Sequence, residues 1–180
     1  MSRIGKIPVE ILKGVKTKFE NAVLTIEGPK GKIEQKIPSE VTLDIKDGKI
    51  FVKQGEGEEK RVKAFHGLYR ALIQNHIKGV HNGYEKQLEI TGVGYRAKLE
   101  GKNIILSLGY SHQIKCPVPE GISVRLDQKD TLIILNGIDK HKIGQLAATI
   151  RGYYPPEPYK GKGIKYKNEH IKRKKGKRVA

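Results

Sequence analysis

The amino-acid sequence contains two halves with the same order of patterns, and this duplication constrains the fold more than any single motif. Three stretches of the first half have similar stretches in the second: residues 24–28 and 88–92, 38–46 and 119–127, and 67–73 and 144–150. The order is kept although the loops between the stretches differ in length. Solenoid repeats have a shorter period than this. The pattern therefore predicts two copies of one small domain.

Both halves contain runs in which every second residue is apolar. The alternating apolar residues are Val41, Leu43 and Ile45 in the first half, and Ile104, Leu106, Leu108, Ile122, Val124 and Leu126 in the second. A period of two predicts β-strands with one buried face. Asp47-Gly48 follows the first of these runs and predicts a tight hairpin turn, because glycine accepts positive φ.

Each half ends in a run with apolar residues three or four positions apart, which predicts a helix that lies on a sheet. These residues are Val62, Phe65, Leu68, Tyr69, Leu72, Ile73 and Ile77, and then Ile143, Leu146, Ala147 and Ile150. Pro155 and Pro156 should end the second helix, because proline lacks the amide donor and restrains the residue before it. Gly79 and Gly83 indicate the linker between the halves.

The predicted fold class is α+β, with two tandem homologous small domains and a basic C-terminal extension. Each domain is expected to be an antiparallel-rich sheet packed on one helix. We expect the first domain to span residues 1–82, the second residues 83–154 and the extension residues 155–180. The extension should be separable from folding, because it has little apolar surface to bury and much like charge.

Positive charge is concentrated at the C-terminal end of the chain. The sequence has 36 Lys and Arg against 19 Asp and Glu, a net charge of +17, and residues 151–180 hold eleven of these cations with two glutamates. Tyrosine and glycine are interleaved with the lysines, as in Tyr-Lys-Gly-Lys-Gly at residues 159–163. Lysine neutralises phosphates, glycine lets a backbone amide approach them, and tyrosine stacks on an exposed base. This mixture predicts nucleic-acid binding, with a solvated tail as the alternative.

Three prolines stand at the start of this basic segment. Pro155, Pro156 and Pro158 favour polyproline II and predict a stiff extended arm over residues 154–159. The alternative interpretation is a helix stop followed by a flexible linker.

Other motifs do not indicate an enzyme, a cofactor or a membrane partner. Residues 92–97, Gly-Val-Gly-Tyr-Arg-Ala, lack the third glycine and the following helix of a dinucleotide fingerprint, and we interpret them as a hairpin between strands. Ser111 and His112 are adjacent but lack a nucleophile-elbow glycine. The aliphatic run at residues 132–135 is too short to span a bilayer. The single Cys116 fits a reducing cytoplasm. We expect no catalysis, no metal and no cofactor.

Residues 156–164, Pro-Glu-Pro-Tyr-Lys-Gly-Lys-Gly-Ile, resemble the signature of the bacterial-type large-subunit ribosomal protein six family. Residues 2–8, residues 92–97 and the duplicated architecture also resemble this family. The resemblance implies binding to large-subunit ribosomal RNA, chiefly through the C-terminal domain and tail. It further implies a cytoplasmic location in the ribosome, among neighbouring ribosomal proteins and near the base of the stalk, where translational GTPases dock.

The candidate RNA-binding residues come from two sources. The resemblance assigns RNA contact to Tyr159, Lys160, Gly161, Lys162 and Gly163, and also to Tyr95 and Arg96. Charge alone adds Lys165, Lys167, Lys172, Arg173, Lys174, Lys175, Lys177 and Arg178. The predicted function is that of a structural constituent of the large ribosomal subunit. A free RNA chaperone or ribosome assembly factor is the alternative, because it would carry the same charge.

Overall fold

The computed structural model describes residues 3–176. The chain forms two compact units, of which the first runs to Gly83 and also takes in Ile138–Lys140. The second unit comprises Tyr84–Gly137 and the chain from His141 onward. The predicted extension at residues 155–176 is therefore part of the second unit.

The first unit consists of two three-stranded antiparallel sheets and one long helix. Its elements are β1 (Val9–Glu10), β2 (Lys16–Glu20), β3 (Val23–Gly28), β4 (Gly31–Lys36), β5 (Val41–Lys46), β6 (Lys49–Gln54) and α1 (Glu59–Asn82). The sheets have the strand orders β1-β6-β5 and β2-β3-β4. Leu24, Ile26, Ile50 and Ile73 are fully buried where α1 packs on the strands.

The second unit repeats this arrangement and adds one strand. Its elements are β7 (Tyr84–Thr91), β8 (Arg96–Glu100), β9 (Asn103–Ser107), β10 (Ile114–Pro117), β11 (Ile122–Leu126), β12 (Leu132–Gly137), α2 (Lys140–Tyr153) and β13 (Gly163–Tyr166). The sheets have the orders β10-β9-β8 and β11-β12-β7-β13. Leu88, Leu106, Leu135 and Ile150 lie in one buried core.

The duplication and the α+β fold class are confirmed element by element. The order β5-β6-β1 in the first unit corresponds to β11-β12-β7 in the second, and β2-β3-β4 corresponds to β8-β9-β10. Each unit contains two antiparallel sheets and one helix. The similarity between residues 24–28 and 88–92 does not identify equivalent strands. It pairs β3 with β7, whereas the strand equivalent to β3 is β9. Strand β13 has no counterpart among the described residues of the first unit.

The predicted hairpin turn at Asp47-Gly48 is confirmed. These residues connect β5 to β6 and have φ values of 51° and 69°. Positive φ at both central residues suits the twist of a two-residue hairpin. The turn therefore sets the register in which Lys46 is opposite Lys49.

Helix α1 differs from its predicted boundaries and from its predicted apolar face. It continues to Asn82, so Gly79 is a buried helical residue and not a linker. The helix ends where the amide of Gly83, at φ 75°, donates a hydrogen bond to Gly79. Leu68 is 48% exposed, whereas His66 is buried and its Nε2 lies 2.9 Å from the Val52 carbonyl oxygen. A polar ring can occupy this inward position because it has that partner.

The interpretation of residues 92–97 as a hairpin is wrong. Strand β7, before the turn, pairs with β12 and β13, whereas β8, after it, pairs with β9. The turn therefore carries the chain from one sheet to the other. Gly94 has a φ of 76°, which favours glycine at this change of direction.

The expectation that the chain after Tyr154 is separable from folding is wrong as far as Tyr166. Strand β13 pairs with β7 in antiparallel register, from Gly163 opposite Thr91 to Tyr166 opposite Leu88. Ile164 is fully buried in the core of the second unit. Burial of such a side chain stabilises a fold by about 1.5–3 kcal/mol. The basic segment thus supplies the edge strand of a sheet as well as charge.

Candidate nucleic-acid interface

Residues 155–162 form a closed loop, which we call the basic loop. The amide of Glu157 donates to the Lys162 carbonyl oxygen at 2.8 Å, and the amide of Gly161 donates to the Glu157 carbonyl oxygen at 3.0 Å. The amide of Ile164 donates to Tyr154 at 2.8 Å and closes the base of the loop. The stiff extended arm predicted over residues 154–159 is therefore wrong, because these bonds turn the chain back on itself.

Two glycines are required by the geometry of this loop. Gly161 and Gly163 have φ values of 73° and 131°, which strain any residue with a side chain. A Cβ atom on Gly163 would lie 2.7 Å from the carbonyl oxygen of Pro155 and 2.9 Å from Cα of Pro156. A Cβ on Gly161 would meet only the Arg173 guanidinium, at 3.4 Å. Both glycines are buried, so their first role is to let the loop pack against its own chain.

The tip of the basic loop presents an aromatic ring and a cation to solvent. Residues 158–160 form a turn, in which Tyr159 is 53% exposed and Lys160 is also exposed. Lys162 is half-buried on the returning side of the loop. The structure therefore places Tyr159 and Lys160 where a ligand could reach them, while Gly161 and Gly163 hold the backbone below.

Residues 167–176, which we call the returning tail, fold back against the same unit. Arg151 in α2 donates two hydrogen bonds to the Glu169 carboxylate, from Nε to Oε2 at 3.0 Å and from Nη2 to Oε1 at 2.6 Å. The amide of Tyr166 also donates to Glu169 Oε2, at 3.1 Å. The hydrogen bonds from Arg151 are the main reason that the pKa of Glu169 is lowered. Farther along, the amide of Lys174 donates to the Pro158 carbonyl oxygen at 2.9 Å.

Two glutamates near β13, Glu89 and Glu169, form ion pairs with cations of the protein. Glu169 binds Arg151, and Lys165 Nζ lies 3.0 Å from Oε2 of Glu89. Lys165 is also half-buried, and the carboxylate of Glu89 partly neutralises its charge. It is therefore a weaker candidate for RNA contact than its neighbours. The described basic residues that are exposed beyond it are Lys167, Lys172, Arg173, Lys174 and Lys175. The candidates Lys177 and Arg178 lie outside residues 3–176.

A cleft of about 460 Å³ opens between β13 and the returning tail. Its lining residues are Thr91, Gly161, Lys165, Glu169, His170, Ile171 and Arg173. Because Glu169 is already bound by Arg151, the guanidinium of Arg173, which has no acidic partner among residues 3–176, dominates the exposed charge of this cleft. An anionic group such as a phosphate would fit that charge.

Tyr95 and Arg96 lie at the junction of β7 and β8 in the same unit. The Tyr95 ring fits between two glycines, since a Cβ on Gly92 would clash with its Cδ2 and a Cβ on Gly109 would lie 3.0 Å from its Cε1. Its edge also contacts Tyr154, with 5.5 Å between ring centroids. Tyr95 is therefore mainly a packing residue, whereas Arg96 is exposed at the start of β8.

Two exposed rings beside this junction were absent from the predicted site. Tyr110 lies 5.7 Å from Tyr154 between ring centroids and stacks on His112 at 6.0 Å, with 21° between the planes. The Tyr110 hydroxyl donates to the Tyr153 carbonyl oxygen at 3.1 Å. A sequence signal was present, because residues 109–113, Gly-Tyr-Ser-His-Gln, place two aromatic side chains in a polar loop between apolar strands.

The part of the chain from residue 3 to residue 176 gives no indication of a metal centre or a membrane span. Within it, no cluster of three or more His, Cys, Asp or Glu side chains is arranged to hold a metal ion. Neither of its two helices combines the length and the apolar composition that crossing a bilayer requires.

Comparison with known proteins gives matches along nearly the whole chain. The family model described as ribosomal protein L6 matches residues 11–83 and again residues 91–167, which is one match for each copy of the duplicated fold. A curated relative from Afipia carboxidovorans is 52% identical over 178 residues, which is 99% of each chain. Relatives from Trichlorobacter lovleyi and Protochlamydia amoebophila are 51% and 46% identical over 98% or more of each chain. All three are named large ribosomal subunit protein uL6. The chain therefore belongs to the ribosomal protein L6 family.

Proposed function

We propose that this chain is a structural constituent of the large ribosomal subunit that binds large-subunit ribosomal RNA through its second unit. The contact surface is formed by the basic loop and the returning tail, and we call it the basic surface. Its exposed side chains are Tyr159, Lys160, Lys167, Lys172, Arg173, Lys174 and Lys175. Membership in the ribosomal protein L6 family identifies a cytoplasmic ribosomal protein and not an enzyme.

One observation carries this proposal: contacts within the second unit fix the position of the basic surface. Hydrogen bonds close the basic loop, and Glu169 and Lys174 tie the returning tail to Arg151 and Pro158. A polycation held by such contacts loses less conformational entropy when it binds than a tail without them would. A fixed arrangement of cations and a tyrosine also matches a folded RNA better than a random polyanion.

The first unit has a smaller part in this proposal. Several of its cations are paired with carboxylates, as in Lys18 with Glu20 and Lys32 with Glu34. Such pairs present little net charge to phosphates. We propose that residues 1–82 act as the first domain and that the second domain, beginning at residue 83, includes β13 and carries most of the RNA contact.

The position within the ribosome is proposed from the family resemblance. The proposed position is near the base of the stalk, beside neighbouring ribosomal proteins and close to the docking site of translational GTPases. Chemical crosslinking of intact ribosomes tests this position. Crosslinks from the chain to ribosomal proteins of the stalk base and to a bound GTPase support it, and crosslinks confined to distant proteins contradict it.

The experiment for the function itself is co-sedimentation of the tagged chain with large subunits through a high-salt wash. A structural constituent should remain with the mature subunit, because its contacts include shape and stacking as well as screened charge. A free RNA chaperone or assembly factor should wash off mature subunits or be confined to precursor particles. Release from mature subunits in the wash would favour that alternative.

A further inference from the structure

Four aromatic side chains form a connected group on the second unit, which we call the aromatic group. It consists of Tyr95, Tyr154, Tyr110 and His112, in that order of contact. The two tyrosine pairs meet edge to face, at 79° and 67°, whereas Tyr110 and His112 lie nearly parallel. Edge-to-face packing is a favourable arrangement that fixes the rings relative to one another.

The inner part of this group is held rigidly. Tyr95 is enclosed by Gly92 and Gly109, and Gly109 has a φ of 79° that brings the loop against the ring. The hydroxyl of Tyr110 is fixed by its hydrogen bond to the last turn of α2, at Tyr153. The orientation of the Tyr110 ring is therefore set by contacts within its own unit.

The outer part of the group is open to solvent. Tyr110 is 47% exposed, and every residue of the loop at 109–113 is exposed. Exposed rings with fixed orientation would pack against a flat ligand with little loss of rotamer entropy. This part of the second unit thus offers an aromatic face that the packing of its own chain does not use.

The surrounding charge favours a nucleic-acid ligand over a protein segment. Between residues 90 and 119 the sequence contains a single acid, Glu100, against Arg96, Lys98, Lys102 and Lys115. Phosphates that flank a stacked base would therefore meet little repulsion. The rings themselves are tyrosine and histidine, whose polar edges suit a nucleobase as well as water.

The aromatic group is continuous with the basic surface. The carbonyl oxygen of Tyr154 accepts the hydrogen bond that closes the basic loop, from the amide of Ile164. An RNA strand bound along the basic loop would therefore pass close to this group.

We propose that Tyr110 and His112 form a stacking site for an unpaired nucleobase of the RNA. The inference rests on the proposed RNA-binding function and adds a site at which the RNA is bound by stacking instead of by charge. Tyr154 and Tyr95 support the site from below, and the cations of the basic loop hold the flanking phosphates. Single-stranded or bulged nucleotides are the ligand class, because a base within a duplex has no free face.

The test is the affinity of the full chain for large-subunit RNA across a series of salt concentrations. Tyr110→Leu should weaken binding about 5- to 150-fold at every salt concentration with an unchanged log–log slope, because stacking contributes about 1–3 kcal/mol per base and releases no counterions. His112→Leu should also weaken binding without changing the slope. Tyr110→Phe keeps the stacking face and should bind within about threefold of the parent. Phe19→Leu, which removes an exposed ring from the first unit, is the control and should bind like the parent.

Each other outcome has a defined meaning. If the parent binds RNA and Tyr110→Leu binds within twofold of it, the stacking site is overturned while the proposed function stands. If the parent does not bind RNA, the proposed function fails and the stacking site fails with it. If Tyr110→Leu keeps its RNA affinity but leaves intact subunits in the wash, the face contacts a neighbouring protein and the nucleobase assignment is wrong.

A second measurement does not depend on the folding of any variant. Ultraviolet crosslinking of the unmodified complex, followed by mass spectrometry of the peptides, should give nucleotide adducts on Tyr110 or His112. Adducts on Tyr159 without any in residues 109–113 would overturn the stacking site.

Discussion

The Arg151 guanidinium binds the Glu169 carboxylate through two hydrogen bonds, and this pair joins helix α2 to the start of the returning tail. The two side chains are 33% and 23% exposed, so the pair is partly shielded from solvent. Bidentate geometry fixes both partners more firmly than a single contact would. The direction of the tail after β13 therefore depends on a residue that belongs to the helix.

Glu169→Gln should weaken this connection and lower the RNA affinity, because the cations of the tail lose their fixed position. The free energy of unfolding should fall by about 1 kcal/mol or less, since a partly exposed pair is screened by solvent. Glu120→Gln is the matched control, because Glu120 faces Lys102 at 3.9 Å with both side chains largely exposed. Affinity and unfolding measurements should separate the two variants, and equal behaviour would contradict the role of the pair.

The same pair makes the free energy of unfolding depend on pH, and the sign of this dependence is defined. Arg151 lowers the pKa of Glu169 in the folded protein, chiefly through hydrogen bonding. The stabilisation is therefore fully present above the ordinary glutamate pKa of about 4.3 and is lost as the pH falls through the lowered value. The difference in unfolding free energy between the parent and Glu169→Gln should be constant above about pH 6 and should shrink in acid. A difference that grows in acid would contradict this coupling.

Truncation should distinguish the structural part of the basic segment from the part that carries only charge. A chain that ends at Tyr154 loses β13 and Ile164, and the second unit should become less stable by about 3 kcal/mol or more. A chain that ends at His170 keeps both and should melt like the parent while losing RNA affinity. Near-ultraviolet circular dichroism reports the unfolding of the second unit, because all tyrosines except Tyr69 belong to that unit. Equal melting of the two truncated chains would show that β13 does not stabilise the unit.

Alanine at the two loop glycines should act through the fold and not only through RNA. Gly163→Ala places a methyl group against the backbone of Pro155 and Pro156 and should destabilise the second unit by about 1–3 kcal/mol. Gly161→Ala adds strain at φ 73° but meets only a flexible side chain, so its cost should be smaller. Gly176→Ala, where a Cβ meets no atom within 4 Å, is the control. Thermal unfolding that ranks Gly161→Ala as the most damaging would contradict this geometry.

Lys174 should contribute to RNA binding as diffuse charge. Its side chain is exposed, and the hydrogen bond to Pro158 uses its backbone amide and survives substitution. Lys174→Ala should therefore reduce the log–log salt slope of RNA binding by up to about one unit. Lys18→Ala, which removes an exposed lysine of the first unit, should leave the slope unchanged. A large loss of affinity at every salt concentration would indicate that Lys174 makes a specific contact.

The repeated fold could be predicted because burial leaves a periodic record in the sequence. The alternating residues around Val41 and Ile122 correspond to β5 and β11, and the Asp47-Gly48 turn corresponds to a positive-φ hairpin. The misleading similarity between residues 24–28 and 88–92 arose because a short Leu-x-Ile pattern fits any strand with one buried face. Order along the chain, and not local likeness, identifies the equivalent strands.

Strand β13 could not be predicted from local sequence. Ile164 is one apolar residue among lysines and glycines, and its partner strand β7 lies some seventy positions earlier in the chain. The pattern of residues 155–166 therefore indicated a basic, RNA-binding extension that is separable from folding. What makes it a strand is a free edge on β7 and a place in the core, and both are tertiary features.

The sequence predicted which residue types form the candidate site, but it did not predict how they are arranged. Charge identified the exposed cations, and the resemblance identified Tyr159 and Lys160 at the tip of the loop. The pairing of Arg151 with Glu169 bridges residues on different elements, and no spacing in the sequence predicts it. Tyr110 lies near the candidate site because the β9–β10 loop folds beside the end of α2, which no local sequence pattern predicts.

The affinity of the double variant Tyr159→Ala with Lys160→Ala for large-subunit RNA tests the central claim most directly. The matched control is Phe19→Ala with Lys18→Ala, which removes an exposed aromatic residue and an exposed lysine from the first unit. We expect the loop variant to lose about 10-fold or more in affinity at near-physiological salt, with unfolding like that of the parent, because it loses a stacking ring and a phosphate contact. The control should bind like the parent. Equal RNA affinity for the loop variant and the parent would contradict RNA binding through the basic loop.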